Sequence, residues 1–454
     1  MANAEEVVER LEVLGARYLW IAYHNYSGLT QAKAVPHSRF AEVASSGVSF
    51  ARANWDFAIT DEQVTHPGYG ADSGDFRLLP DPEAIAAVGY REGVAQAYGW
   101  LADESGAPWA GDPRARLRHQ AACLGERGYA ARLGFEAEFM LVRPGGSGPP
   151  AAAEDGRMFT IDGLESRWSL WEGLLAACAT GGLGVHQLAK EYGPGQYELS
   201  LLPAEPVAAV DAYLLARQTV KAMARDAGLI ATFMPRPWST LPGNGLHVHL
   251  SLVDATGHEV LPDAHADDEL TPVGQAAVAG ILDHADGLAA LAAPTPNSYR
   301  RLVPGSWAPA HVCWAFGNRA ALVRIPGRGA GRHIEYRMGD ASANPYLLAT
   351  GLLAAVVDGL ARPPILPPQA SLDIGHLSDD DAVRLGHRRL PTNPAAALDA
   401  LAADPTLGAA LGPIIADHYE RVKRFESGLF DASQDGVTSD EVSEWERAAY
   451  LEAI

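Results

Sequence analysis

The chain has 454 residues, a net charge of -21 and 48% hydrophobic residues. This length exceeds what one compact core usually accommodates, so two domains are expected. The acidic balance excludes nucleic acid as a partner, because phosphate backbones are bound by basic surfaces. No stretch approaches the roughly 20 apolar residues of a membrane span. The N-terminal pattern predicts an amphipathic helix rather than a targeting segment, so we expect a cytoplasmic protein without membrane contact.

The first part of the chain predicts a small domain rich in strands. Residues 1–20 predict a helix, and residues 18–35 alternate in the way that a β-hairpin does. Near residue 112 the pattern changes, because a helix begins there, a glycine ends it and an apolar strand follows. We therefore expect one domain at residues 1–108 and a second at residues 109–454.

The second domain mixes long alanine-rich helices with short strands. The predicted long helices are 167–181, 205–226, 271–292 and 342–361. Strands fall between them without a regular βαβ repeat, which is typical of an α+β fold. A proline-rich linker at 363–369 precedes a mostly polar, surface-like stretch at 372–403, and two amphipathic helices are predicted at 414–429 and 438–453.

Four strand-like segments carry polar or ionisable residues two positions apart in an apolar context. This spacing puts both side chains on one face of a strand, and charged groups are rarely buried unless they are paired or bind metal. The pairs are Glu136 and Glu138, His247 and His249, Glu335 and Arg337, and Glu198 and Ser200. Each pair alone is more often a solvated or structural feature, so the prediction depends on their conjunction.

One further glutamate, Glu191, precedes Glu198 across a glycine-rich turn. Together with the paired residues it makes a set of glutamates and histidines without cysteine. Oxygen-rich ligands of this kind suit Mg²⁺ or Mn²⁺, the cations that accompany nucleotides. The sequence therefore predicts a metal site on one face of a sheet.

Arginines are the second group of candidate site residues. Arg300, Arg301, Arg319 and Arg324 stand between apolar and glycine-rich segments. Guanidinium groups bind carboxylate or phosphate in bidentate geometry, although arginines in isolation are usually surface residues. Beside a metal-binding face, Arg319 and Arg324 are candidates for stabilising a transferred phosphate. The chain has no Walker or Rossmann glycine motif, so an ATP site would be of another kind.

At these residues the sequence resembles the glutamine synthetase superfamily over residues 110–454. Six segments match in order: GFEAEFML, EYGPGQYELSL, GNGLHVHLSL, NSYRRLVPG, NRAALVRIP and RHIEYRMGDASANPYLLAT. The N-terminal domain resembles the family's β-grasp domain more weakly, mainly through SGDFRLLPDP. The resemblance implies a small β-grasp domain followed by a larger catalytic domain with a curved antiparallel sheet flanked by helices.

The resemblance also implies two metal sites and an ATP site. The positions that match ligands of the first metal are Glu138, Glu191 and Glu198, and those of the second are Glu136, His247 and Glu335. We expect ATP and two or three Mg²⁺ or Mn²⁺ ions as cofactors. Arg319 and Arg324 match the arginines that hold the ATP phosphates, and His249 matches a position near the nucleotide.

The glutamate-binding positions of the family are matched by Arg301, Arg337 and the backbone of Gly243, with Glu138 and His247 beside the substrate. Arg301, Arg319 and Arg324 are accordingly the predicted catalytic residues. The implied reaction is that of an ATP-dependent carbon–nitrogen ligase, in which γ-glutamyl phosphate forms from L-glutamate and an amine displaces phosphate. The resemblance further implies a homo-dodecamer of two hexameric rings, with residues 49–62 facing the neighbouring subunit's active site.

Three departures from the family pattern concern the amine. The loop PGSWAP has Trp307 where the family has a glutamate that serves ammonium, and Pro242 replaces a usual glutamate contact. The family's Asp-Gly-Ser-Ser motif is missing, and whether Asp56 or Asp61 replaces its acid stays open. We therefore predict an organic amine as acceptor, either a small monoamine or an aromatic amine, with Trp307 beside it. The alternatives are an ordinary glutamine synthetase using ammonia and a catalytically silent structural homologue.

Overall fold

The computed structural model describes residues 4–64, 68–145, 151–153, 156–262, 269–434 and 441–454. Helices and strands alternate irregularly along these residues, so the predicted α+β class is confirmed. A smaller N-terminal domain precedes a larger catalytic domain. No helix within these ranges is both long enough and apolar enough to cross a membrane.

The N-terminal domain consists of two helices and a five-stranded sheet. Its elements are α1 (Ala4–Val13), β1 (Tyr18–His24), β2 (Thr30–Pro36), α2 (Phe40–Ser46), β3 (Val48–Ala51), β4 (Asp75–Ala87) and β5 (Val94–Ala102). The strand order is β2-β1-β5-β4-β3, with β1 and β5 parallel and the other neighbours antiparallel. The predicted hairpin is confirmed. The predicted helix over 1–20 is too long, because Gly15 adopts a φ of 61° after α1.

The larger domain contains the remaining elements. They are α3 (Pro113–Glu126), β6 (Tyr129–Arg143), β7 (Ala151–Ala152), α4 (Ile161–Glu165), α5 (Trp168–Thr180), β8 (Val185–Lys190), β9 (Gln196–Leu201), α6 (Pro206–Asp226), β10 (Ile230–Thr232), β11 (Leu246–Asp254), α7 (Pro272–Asp283), α8 (Ala285–Ala292), α9 (Pro296–Arg301), β12 (His311–Val312), β13 (Trp314–Phe316), β14 (Val323–Ile325), β15 (Ile334–Tyr336), α10 (Pro345–Gly359), α11 (Asp379–Arg384), β16 (Arg388–Arg389), α12 (Pro394–Ala403), α13 (Pro405–Leu411), α14 (Pro413–Ser433) and α15 (Glu444–Tyr450).

A nine-stranded sheet organises this domain around β6. Its main order is β13-β14-β15-β11-β6-β9-β8, and β7 and β10 also pair with β6. All pairs are antiparallel except β13 with β14, so the predicted antiparallel sheet is correct apart from that parallel pair. Helices α3 and α6 pack against β6, and the apolar α10 lies behind them in the core. The sheet is therefore backed by helices, which leaves its other face for polar side chains.

Two predicted segments differ from the structure. The helix expected over 271–292 is divided into α7 and α8 at His284, whose ring nitrogens lie 2.6 Å from Asp404 Oδ2 and 3.2 Å from Asp358 Oδ2. The stretch 372–403 is not all surface, because α12 packs against α8 and buries Ala397, Leu398 and Leu401. Of the helix predicted over 438–453, residues 438–440 lie outside the described residues, and α15 covers part of the rest.

A buried ion-pair network joins the two domains. Arg114 at the start of α3 lies 2.8 Å from Asp81 of β4 and 2.7 Å from Asp211 of α6. These carboxylates raise the pKa of Arg114 against the opposing effect of burial. Tyr346 donates a further hydrogen bond to Asp211. Each domain therefore supplies a carboxylate to the same guanidinium group.

We expect Arg114→Met to lower the free energy of unfolding by about 3–5 kcal/mol, because two buried carboxylates lose their countercharge. Arg118→Met is the matched control, since both guanidinium groups lie 3.8 Å from the Trp100 ring but Arg118 is exposed. The control should cost less than about 1 kcal/mol. Urea denaturation and thermal unfolding of both variants test this, and equal losses would contradict it.

Candidate active site

Polar side chains form rows across the polar face of the nine-stranded sheet. Along β6, Glu138 pairs with Glu198 of β9, and two residues earlier Glu136 stands between Ser200 of β9 and His247 of β11. The spacing of two on each strand brings these side chains to one face. The sequence-based prediction that these pairs share a face agrees with this register.

The next row continues toward the other edge of the sheet. His249 of β11 pairs with Glu335 of β15, and Glu335 pairs in turn with Arg324 of β14. We call the glutamates and histidines of these rows the carboxylate–histidine band; its members are Glu136, Glu138, Glu198, His247, His249 and Glu335. Three of the six members are buried and three are half-buried, and Glu335 is 0% exposed.

Glu136 is the centre of the band. One of its carboxylate oxygens lies 2.9 Å from His247 Nδ1, and the other lies 3.6 Å from His249 Nε2. Ser200 donates a hydrogen bond of 3.4 Å to the same carboxylate. Glu136 therefore belongs to two groups whose donor atoms lie within 4.8 Å of one another: one with Glu198 and His247, the other with His249 and Glu335.

These groups differ in membership from the two ligand sets that the family resemblance implies. His249 joins the second group, although its predicted position is near the nucleotide. Its Nδ1 also lies 2.8 Å from Nε2 of His333, a residue that the sequence reasoning did not single out. In the sequence, His333 is indicated by its position directly before β15, two residues from Glu335, because this spacing puts both side chains on one face.

Glu138 and Glu191 lie beside these groups. An oxygen of Glu138 accepts a hydrogen bond of 2.6 Å from the backbone N–H of Gly245. Glu191 accepts one of 3.1 Å from the N–H of Tyr192. Both carboxylates act electrostatically on Glu198, so they belong to the same acidic environment.

The carboxylates of the band repel one another. Burial, followed by the charges of Glu136, Glu138 and Glu191, raises the pKa of Glu198 to about 10. Burial and then the charge of Glu138 raise the pKa of Glu191 to about 7. The charge of Arg319 lowers the pKa of Glu191, but burial and the neighbouring carboxylates outweigh it.

The other end of the band is neutralised by protein cations. Burial raises the pKa of Glu335, but Arg337 and then the histidines outweigh it and hold the pKa at about 2. Burial likewise raises the pKa of Glu136, and hydrogen bonds from His247 and His249 hold the net pKa well below its ordinary value. Burial and then Arg337 lower the pKa of His247, which favours the neutral imidazole that can ligate a metal.

The donor chemistry fits a divalent cation of the harder kind. Carboxylate oxygens with one or two imidazoles suit Mg²⁺ or Mn²⁺. A cation near Glu198 and Glu191 would offset their negative charge, which burial and mutual repulsion otherwise make unfavourable. Divalent cations in such a site stabilise negative charge on a phosphate during its transfer.

The arginines border the band. Arg324 donates a hydrogen bond of 2.6 Å to Glu335, and Arg337 donates to the other oxygen of the same carboxylate. Arg337 also donates to the carbonyl of Arg319 at 2.8 Å, while the exposed side chain of Arg319 acts on Glu191. Arg319, Arg324 and Arg337 thus lie where a phosphate above the band would meet positive charge.

Two glycines allow a close approach to Arg301. A Cβ atom on Gly243 would stand 2.8 Å from Arg301 Cγ, and one on Gly245 would stand 2.7 Å from Arg301 Nη2. The buried Arg301 donates to the carbonyls of Met338 and Arg337. At Gly243 a Cβ would also stand 2.5 Å from the carbonyl oxygen of Pro235, so glycine is required there, whereas the contact at Gly245 is with the end of a side chain. Sequence reasoning identified Gly243 but missed Gly245.

The residues assigned to the amine have different surroundings. Trp307 is 66% exposed and adopts a φ of 63°, which is strained for a bulky side chain. Asp56 is fully buried and lies 2.6 Å from His418 Nδ1, so it is engaged within its own chain. Asp61 is exposed, with a φ of 66°.

Comparisons of sequence place the chain in a known family. The model of the glutamine synthetase catalytic domain matches residues 110–450, and that of the glutamine synthetase N-terminal domain matches residues 2–109. The chain therefore belongs to the glutamine synthetase family, and the predicted resemblance is confirmed. It is an ATP-dependent carbon–nitrogen ligase of a family that acts on glutamate and a nitrogen donor.

Two of the similar proteins are archaeal glutamine synthetases. The chain is 32% identical to a glutamine synthetase of Thermococcus kodakarensis, over 97% of each chain. It is 30% identical to a glutamine synthetase of Methanocaldococcus jannaschii, over 99% of this chain and 98% of that protein.

A solved complex of GmaS, a γ-glutamylmethylamide synthetase, with ADP is also similar, with a TM-score of 0.83 and 28% identity over 99% of each chain. A crystal structure of a glutamine synthase homologue has a TM-score of 0.82 and 29% identity, over 96% of this chain and 99% of that chain.

We expect Glu138→Ala to lower ATP- and glutamate-dependent phosphate release by roughly 100-fold or more at any amine concentration, because a carboxylate predicted to bind metal is lost. Glu172→Ala on the exposed face of α5 is the control and should retain normal release. A coupled phosphate assay with Mg²⁺ measures both variants. Turnover near that of the parent protein in Glu138→Ala would refute the assignment.

Proposed function

We propose that the protein forms a γ-glutamyl amide from L-glutamate and a small organic amine, with ATP, through γ-glutamyl phosphate. The observation that carries this proposal is Trp307 in the loop PGSWAP, where the family has a glutamate that serves ammonium. An indole cannot accept a proton from ammonium, but it offers an apolar wall for an organic amine, which would attack the acyl phosphate as the neutral base and pass its N–H proton to the departing phosphate. The amine is therefore the substrate by which this reaction would differ from that of an ordinary glutamine synthetase.

The metal-binding half of the reaction is assigned to the carboxylate–histidine band. We propose Glu138, Glu191 and Glu198 as ligands of one divalent cation, and Glu136, His247 and Glu335 as ligands of another. His249 lies close enough to Glu136 and Glu335 to contribute to the second. Two or three Mg²⁺ or Mn²⁺ ions with ATP are the proposed cofactors.

The substrate positions border this band. Arg301, Arg337 and the backbone of Gly243 are proposed to hold L-glutamate, with its γ-carboxylate toward Glu138 and His247. Arg319 and Arg324 are proposed to hold the phosphates of ATP and to stabilise the charge on the transferred phosphate. No protein nucleophile is needed, because the carboxylate of glutamate attacks the phosphate directly.

Of the two aspartates considered for the amine site, Asp56 is already engaged within its own chain. It is paired with His418 and accepts a hydrogen bond from the backbone of Tyr69, so both of its carboxylate oxygens have partners. A polyamine would need an acidic partner for its distal ammonium group. We therefore favour a small monoamine or an aromatic amine, and the similarity to GmaS, which is named for a methylamide product, supports the first of these.

An ordinary glutamine synthetase is the second candidate. It is favoured by the relatives of about 30% identity that carry that name. Under this alternative another acid, such as the exposed Asp61, would replace the family's glutamate. Comparison of ammonium with organic amines distinguishes the two candidates.

We expect phosphate release with glutamate, ATP and Mg²⁺ to depend on an organic amine, tested with ammonium, methylamine, ethanolamine, isopropylamine, putrescine and aniline. The best organic amine should exceed ammonium in kcat/KM by at least about tenfold, a discrimination that one apolar pocket can provide. Mass spectrometry should identify the γ-glutamyl product. A higher kcat/KM for ammonium than for every organic amine would contradict the proposal of an organic amine.

Trp307→Glu should shift preference toward ammonium by about tenfold or more, because it restores an acid beside the nucleophile. Trp168→Glu is the matched control, since Trp168 is 45% exposed on α5, outside the band and the PGSWAP loop. The ratio of kcat/KM for ammonium to that for the best organic amine is the measured quantity. An unchanged ratio in Trp307→Glu would contradict a role for this side chain.

We further propose a cytoplasmic homo-dodecamer of two hexameric rings, in which residues 1–108 form one domain and residues 109–454 the other. Residues 49–62 would face the neighbouring subunit's site. Light scattering after size exclusion should give about 577 kDa, twelve chains of 48.1 kDa each. A stable monomer would refute the assembly without bearing on the amine.

A further inference from the structure

A cavity of about 530 Å³ lies between the N-terminal sheet and α6. Its walls come from β1, β2 and β5 on one side and from α6 on the other, and no member of the carboxylate–histidine band lines it. The cavity is thus separate from the site assigned to glutamate and ATP. It also lies at a junction between the two domains.

The helical wall of this cavity is basic. Arg217, Lys221 and Arg225 follow one another at intervals of four along α6, so they share one face of the helix. Like charges at this spacing repel one another. Such a row is unexpected on a chain whose net charge is -21, unless an anion offsets it.

Within the described residues, this row contacts backbone carbonyls and feels the charge of Glu452, but it has no carboxylate in direct contact. Arg217 and Lys221 donate to backbone carbonyls of Ala341, Glu452 and Ala453. Among the described residues, no carboxylate forms an ion pair with any of the three cations. The nearby Asp226 is bound to Arg91, at 2.7 and 3.0 Å.

The opposite wall contains two buried polar side chains that each have a nitrogen without a hydrogen-bond partner. His24 and Gln96 line the cavity and are only 3% and 2% exposed. His24 Nε2 and Gln96 Nε2 are buried and have no hydrogen-bond partner within the described part of the chain. A buried polar atom without a partner costs roughly 1–3 kcal/mol, and a ligand would offset that cost here only if these side chains turned toward the cavity.

The remaining lining combines polar side chains, such as Thr30, Gln31 and Gln218, with apolar ones. Trp20, Leu29 and Leu214 contribute hydrophobic surface beside the basic row. The volume also exceeds what a bare inorganic ion would fill. These two features favour an anion that carries an aromatic or aliphatic body.

We propose that this cavity binds a small organic anion, with its carboxylate or phosphate group on Arg217, Lys221 and Arg225 and its apolar body against Trp20 and Leu214. Burial and then the charges of Arg217 and Arg225 lower the pKa of Lys221 to about 7, although Glu452 opposes this. A bound anion would offset those charges. Since both domains contribute to the cavity, binding would also stabilise their contact.

Calorimetric titration of the full-length protein with phenyl phosphate, benzoate and inorganic phosphate tests this proposal. EDTA is present throughout, so that metal-dependent phosphate binding at the active site does not contribute. We expect phenyl phosphate or benzoate to bind at least tenfold more tightly than inorganic phosphate. Lys221→Met and Arg225→Met should each weaken that binding at least tenfold, while Arg384→Met, on the exposed face of α11, leaves it unchanged.

Arg225 is exposed, so Arg225→Met should fold normally even if Lys221→Met does not. Amine-dependent phosphate release by Arg225→Met should equal that of the parent protein. Two results would each overturn the proposal: the parent protein binds none of the three probes, or Arg225→Met binds them as tightly as the parent protein does.

Discussion

The active face of this protein depends on the repulsion between carboxylates held on neighbouring strands. Pairing of β6 with β9 puts Glu138 beside Glu198, and burial plus like charge raises the pKa of Glu198 to about 10. Removing negative groups from water is unfavourable unless countercharge is supplied. At one end of the band Arg324 and Arg337 supply it to Glu335. At the other end burial and mutual repulsion prevail, and a divalent cation would supply the missing countercharge.

The sequence predicted the members of this face better than their contacts. Alternation is a property of the strand itself, so Glu136 and Glu138, or His247 and His249, are assigned to one side without knowledge of the fold. Which residues meet across strands depends on register and on long-range packing. The approach of His333 to His249 and the pairing of Asp56 with His418 therefore emerged only from the structure. The division of a predicted helix at His284 has the same origin, because its aspartate partners are distant in sequence.

The residues proposed for phosphate transfer and the residue proposed for the amine lie on different kinds of structure. The carboxylate–histidine band lies on central strands whose positions are set by backbone pairing and by the helices behind them. Trp307 lies on an exposed loop, where substitution disturbs little of the core. A change of amine is therefore compatible with an unchanged site for phosphate transfer.

The most direct test of the account is the number of Mn²⁺ ions that the protein binds, measured by electron paramagnetic resonance during titration. The account predicts at least two ions per chain, because the band offers two groups of ligands that share Glu136. The variant Glu136→Gln should lose affinity for both, by roughly 10- to 100-fold. Binding of fewer than one ion per chain, or affinities unaffected by Glu136→Gln, would contradict the claim that this face is a metal site.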